Sequence, residues 1–81
     1  MTVTVHVFAR LREQLGTSTW TESLPDGATT DQLVNTLSER EEAISALRSV
    51  LRLAVNDEWV QRDRTLQEGD DVALLTPVSG G

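Results

Sequence analysis

Between Thr2 and Phe8 the chain alternates without a break, with Val3, Val5 and Val7 on one side and Thr2, Thr4, His6 and Phe8 on the other. A period of two is the signature of a strand with one buried and one open face, so whatever forms here has a sheet that must be covered on a single side. The covering layer has to come from the same short chain. Its 81 residues make one small domain, and a hydrophobic fraction of 38% supplies a single core.

The rest of the sequence divides at strong punctuation. Ala9-Arg10-Leu11-Arg12-Glu13-Gln14-Leu15 is rich in helix formers and is followed by Gly16, where a left-handed helix stop is usual, so one or two helical turns are expected. Thr17 to Leu24, with several threonines and Trp20, suits a second strand, and Pro25-Asp26-Gly27 turns out of it. Thr29 and Gln32 form a capping box, after which Leu33, Val34 and Leu37 line one side of a helix. Ile44, Leu47 and Leu51 extend the apolar stripe past Glu39-Arg40-Glu41-Glu42, and the pattern allows either a continuous helix or a break and restart there. Arg52 to Val55, the turn Asn56-Asp57 and Glu58-Trp59-Val60 read as a hairpin. After Glu68-Gly69-Asp70, the run Val72-Ala73-Leu74-Leu75 reads as a buried central strand. The order predicts an α+β domain of the β-grasp type over residues 1–75, a mixed sheet of about five strands packed on one main helical region, with residues 76–81 as a C-terminal tail.

Composition narrows the function. Seven basic against thirteen acidic residues give a formal charge of −6, which repels phosphate backbones and favours a partner with a basic face over nucleic acid. Without cysteine the chain has no thiolate nucleophile and no cysteine metal site, so any sulfur it handles must be delivered to it. His6 is the one histidine, and a sheet-surface role is expected for it rather than metal binding. No Ser-His-Asp order, phosphate-binding glycine loop or paired carboxylates in a cleft can be assembled, which argues against an autonomous enzyme. The start of the chain lacks a signal-peptide pattern and no stretch has the roughly 20 apolar residues of a membrane span, so a soluble cytoplasmic protein without membrane contact is expected.

Phe8-Ala9-Arg10-Leu11-Arg12-Glu13 with Gly16, then Ala54-Val55-Asn56, then Leu66, Glu68-Gly69-Asp70-Asp71-Val72-Ala73 and Pro77-Val78-Ser79-Gly80-Gly81 together resemble the small subunits of molybdopterin synthase, the MoaD-type proteins. Their order spans nearly the whole chain; residues 28–50 agree in helical character more than in identity. The resemblance implies a ubiquitin-like β-grasp fold and a working group at the carboxylate of Gly81, with Gly80, Ser79, Val78 and Pro77 threading into a partner. It also implies a non-catalytic carrier with no bound cofactor and a set of partners: a synthase large subunit in a heterotetramer, an E1-like adenylating enzyme that uses ATP, and a persulfide sulfur donor. Phe8, Arg12, Leu74 and Leu75 are the candidate docking residues. Leu74 and Leu75 fall on opposite faces of the last strand, so that one fills the core while the other serves an apolar patch. For Arg12 a solvated helix charge, the usual place of an arginine, is slightly favoured over a positive contact for the partner or the tail. Trp20 and Trp59 suit either an interface or the covering of a thin core, and the acidic run Glu39 to Glu42 reads as a solvated helix face.

Three other readings stay open at this point. Carriers for thiamine, cysteine or tRNA thiolation share the tail chemistry, although thiamine carriers are typically shorter and lack the Phe8 to Glu13 signature and the Pro-Val-Ser approach to the tail. A ubiquitin-like protein modifier would be joined through Gly81 to target lysines. A plain interaction domain would not need Gly81 at all.

Overall fold

The computed structural model describes residues 1–76. Five strands form one sheet: β1 (Thr2–Val7), β2 (Thr19–Ser23), β3 (Arg52–Val55), β4 (Glu58–Trp59) and β5 (Asp71–Leu75). Their spatial order is β2-β1-β5-β3-β4, with β5 in the centre. β1 and β5 run parallel, with Val5 opposite Val72 and Val7 opposite Leu74, and every other pairing is antiparallel. Helices α1 (Ala9–Leu15), α2 (Thr30–Arg40) and α3 (Glu42–Leu47) and a 3-10 turn, Arg48–Val50, are the other elements among the described residues.

The alternation in β1 has the expected consequence: Val3, Val5 and Val7 are buried against α1, α2 and α3 with Leu11, Leu33, Leu37, Ile44, Val55, Leu66, Val72 and Leu74. Local signals set the ends of the elements. Gly16 takes φ 74 and its N–H bonds the Arg12 carbonyl, closing α1 in the left-handed geometry that glycine adopts without a Cβ clash. Both bonds of the capping box are made at the start of α2, Gln32 N–H to Thr29 Oγ1 at 3.3 Å and Thr29 N–H to Gln32 Oε1 at 2.9 Å. Asn56 and Asp57 have φ 51 and 69, the left-handed pair of a tight hairpin turn, which short polar side chains tolerate.

The helical stripe breaks rather than continues. Glu41 sits in extended geometry, φ −117 and ψ 111, between α2 and α3. The break lets Leu37 and Ile44, both fully buried, turn into the same core, which a straight helix running past the edge of so small a sheet would not allow. The run Glu39 to Glu42 is therefore not one solvated helix face: Glu39 and Glu42 are exposed, Glu41 is half-buried at the break, and Arg40 is drawn back to β2.

At that point Glu22 is buried on β2, accepting hydrogen bonds from Trp20 Nε1 at 2.7 Å and from the Arg40 guanidinium. Burial pushes the Glu22 carboxyl up, but the hydrogen bonds from Arg40 and Trp20, aided by the charge of Arg40, outweigh it and hold the group below its ordinary value of 4.5. A carboxyl depressed in the folded state adds stability above its unfolded pKa and loses it as pH falls through the folded pKa. Wild-type protein is expected to lose melting temperature on acidification below about pH 4.5. Glu22→Gln should begin less stable at pH 7 and show a flatter acid limb in thermal melts from pH 7 to 3. Equal slopes for the two proteins would remove Glu22 from the account.

Candidate functional site

One face of the sheet carries the helices and the other is open. The open face presents Thr4, His6 and Phe8 from the β1 side, Asp71, Ala73 and Leu75 from β5, Arg52 and Ala54 from β3 and Trp59 from β4, because residues in register across a sheet share a face. Across its middle runs the row His6, Ala73, Ala54, Trp59, each paired with the next. Phe8 is 49% and Trp59 64% exposed, an unusual outlay of large apolar surface for a domain with so few aromatic residues.

Beside the Phe8 ring the two alanines leave a hollow of about 260 Å³, bordered also by His6, Asn56, Asp57 and Asp71. His6 Nε2 lies 3.1 Å from Asp71 Oδ1, and the carboxylate accepts from the ring N–H. Asn56 fixes the junction of β3 and β5: its Nδ2 donates to Asp70 Oδ1 at 2.9 Å and its Oδ1 accepts from Asp71 N–H at 3.0 Å. That ties the Ala54-Val55-Asn56 and Glu68 to Asp71 segments into one unit.

β5 delivers the chain to the edge of this face. Its parallel partner β1 ends beside it, so that Phe8, one residue past the Val7 and Leu74 pair, stands next to the point where Leu75 and Thr76 leave the sheet. Leu74 is fully buried in the core, so of the two leucines only half-buried Leu75 belongs to the open face; Leu74 is withdrawn as a docking residue by its place in the pleat. Arg12 is exposed on α1. Pro77, Val78, Ser79, Gly80 and Gly81, the expected threading and modified residues, lie outside the described residues.

Sequence reasoning missed Ala54, Ala73, Asp57 and Asp71 as parts of the face. Small residues at positions 54 and 73 carry no local signal, and their adjacency exists only through the pairing of β3 with β5. Trp20 is a core-covering residue tied to Glu22, and Trp59 is the exposed one. Among the described residues no group of three or more His, Cys, Asp or Glu side chains is arranged to hold a metal, and no helix is long and apolar enough to cross a membrane.

The ThiS family model matches residues 5–81. A relative from Chlamydomonas reinhardtii, named molybdopterin synthase sulfur carrier subunit, is 35% identical over 83 residues, covering all of both chains. SAMP1 from Haloferax volcanii superposes over the full length of both chains with a TM-score of 0.85 at 25% identity. The complex of subunits 1 and 2 of molybdopterin-converting factor from Helicobacter pylori contains a chain matched over its whole length, with a TM-score of 0.73 at 26% identity. A five-stranded sheet with the helices on one side, an open face beside the exit of the last strand and full-length agreement with these proteins lead to one conclusion: this chain belongs to the ThiS/MoaD family of ubiquitin-like β-grasp proteins.

Proposed function

We propose that this chain is the sulfur carrier subunit of a molybdopterin synthase, acting through the carboxylate of Gly81. The observation that carries the reading is the position of the open apolar face beside the exit of β5: a partner seated on Phe8, Leu75 and Trp59 is placed to receive whatever chain follows Thr76. The family and the names of the curated relatives support the choice of pathway.

The chemistry begins with activation. A carboxylate is a poor acyl donor, since its leaving group would be oxide. Attack of a Gly81 oxygen on the α-phosphorus of ATP, in an adenylating enzyme, releases pyrophosphate and leaves an acyl-AMP anhydride. A persulfide sulfur then attacks the acyl carbon and AMP departs; a thiol on the donor cleaves the remaining S–S bond, leaving a terminal thiocarboxylate. The sulfur is now a nucleophile on an arm. Fully extended, the six residues from Thr76 to Gly81 could reach about 20 Å at roughly 3.3 Å per residue, enough to enter a partner's active site while the domain stays outside. Glycine at the last two positions leaves no Cβ to obstruct a narrow channel.

Inside the large subunit the thiocarboxylate sulfur attacks a side-chain carbon of cyclic pyranopterin monophosphate and displaces the oxygen substituent held there. Hydrolysis of the resulting thioester returns the carrier with a carboxylate, and a second carrier repeats the step at the neighbouring carbon to complete the dithiolene. Proton transfers fall to the large subunit, and ATP is consumed by the activating enzyme rather than held here. The test is to prepare the thiocarboxylate form with its activating enzyme, mix it with the large subunit and cyclic pyranopterin monophosphate, and measure molybdopterin by the fluorescence of its oxidised derivative. Product that scales with carrier is expected. A stable thiocarboxylate that yields none with the cognate large subunit would move the chain to another sulfur pathway, and an isopeptide-linked ladder in cell extract would make it a protein modifier.

A further inference from the structure

The hollow in the open face has two unlike ends. Its floor is Ala54 and Ala73, adjacent across β3 and β5. The Phe8 ring stands toward the Leu75 end, and the carboxylates of Asp57 and Asp71 stand at the other. His6 satisfies one oxygen of Asp71, whereas Asp57 has no ion-pair partner among the described residues. At about 260 Å³ the hollow falls below the roughly 300 Å³ at which small-molecule sites begin, so its size suits one side chain better than a cofactor.

We infer that this hollow receives a single arginine or lysine side chain of the large subunit, its methylene stem on Ala54, Ala73 and Phe8 and its cationic head between Asp57 and Asp71. Long cationic side chains have this division into apolar stem and charged head, and a head held by two carboxylates makes charge-assisted bonds. Direction follows from the other charge on the face: Arg52 is paired with Leu75, at the opposite end from the aspartates, and repels a cation pointed toward the tail. The chain's formal charge of −6 favours a partner with a basic surface. The inference rests on the carrier reading for the identity of the occupant and adds the residue type that the partner contributes and the direction in which it lies.

The test measures binding of the full chain to the cognate large subunit by calorimetry at several salt concentrations. Asp57→Asn and Asp71→Asn keep the size of the side chains, and asparagine tolerates the left-handed backbone at position 57. The double variant is expected to raise Kd at least tenfold and to flatten the dependence of log Kd on log salt, while Glu39→Gln on the exposed surface of α2, which removes one like charge, leaves both unchanged. Ala73→Met, which fills the hollow without touching a charge, is expected to weaken binding to a similar extent at an unchanged melting temperature. Wild-type affinity and salt slope in the double variant, or wild-type affinity in Ala73→Met, would overturn the inference and leave the carrier reading standing, because the wild-type chain still binds. A wild-type chain that does not bind the large subunit at all would overturn both.

Discussion

A chain lacking only Gly81 is expected to give no molybdopterin above background while melting at the same temperature as wild type. The core among the described residues is built from positions 3 to 74, and removal of Gly81 is expected to leave it intact. The truncation does retract the carboxylate by about 3.3 Å. A displacement of about 1 Å from a productive geometry already costs on the order of 100-fold in rate, and the shortened arm fails twice, once in the adenylating enzyme and again in the synthase. Affinity for the large subunit should survive to the extent that the open face provides it. The readouts are the fluorescence of oxidised molybdopterin and the mass shift of the thiocarboxylate after activation. A truncated chain that retained a tenth of the wild-type yield would sink the assignment of Gly81 as the sulfur-bearing residue and return the chain to the class of plain interaction domains.

Leu74 and Leu75 are neighbours in sequence with opposite duties, and alanine at each should separate folding from function. Leu74 has 0% exposure within the central strand, packed among valines of β1, β3 and β5 and the leucines of α1 and α2. Leu74→Ala leaves a cavity and is expected to cost about 2–5 kcal/mol. A chain of 81 residues has about 4–12 kcal/mol to lose at 0.05–0.15 kcal/mol per residue, so the change removes a large share of the total. At roughly 4–8 °C per kcal/mol the melting temperature should fall by about 8 °C or more. Leu75→Ala, on the open face, is expected to shift stability by less than about 1 kcal/mol. It should instead raise Kd for the large subunit by about fivefold or more, as truncation of an interface anchor does. Thermal melts and calorimetry decide between them. If Leu75→Ala destabilised the fold as much as Leu74→Ala, the division of β5 into core and docking faces would be wrong.

The two acidic residues that stand below their ordinary pKa belong to the scaffold that holds this face. Glu22 anchors α2 to β2 through Arg40. Asp63 accepts from the Asp31 N–H at 2.9 Å and from Thr30 Oγ1 at 3.2 Å, closing the loop before β5 onto the start of α2. That backbone hydrogen bond is the main cause of its lowered pKa, with the hydroxyls adding to it against a desolvation that pushes the other way. Both carboxylates lend stability above their unfolded pKa values and withdraw it as pH falls, so acid should loosen α2 from the sheet.

The amino-acid sequence by itself determined what depends on neighbours along the chain. Alternation through β1 declared a strand with one buried face, Thr29 and Gln32 announced the start of α2, Gly16 its predecessor's end, and Asn56-Asp57 the hairpin turn. These rest on bonds and steric limits spanning at most a few residues, so residue type and spacing suffice. The family's motifs, carried by the sequence alone, likewise point to Gly81. Tertiary structure alone decided the strand order, the parallel pairing of β1 with β5, the break at Glu41 and the burial of Glu22 between Trp20 and Arg40. It also decided which face of Val72 to Leu75 is the buried one, with Leu74 in the core and Leu75 on the open side, and that Ala54 and Ala73 meet to form a hollow. The physical reason is that register and face are properties of pairs of strands far apart in sequence: each strand's own pattern is satisfied by several neighbours, and only closing the single core selects one of them.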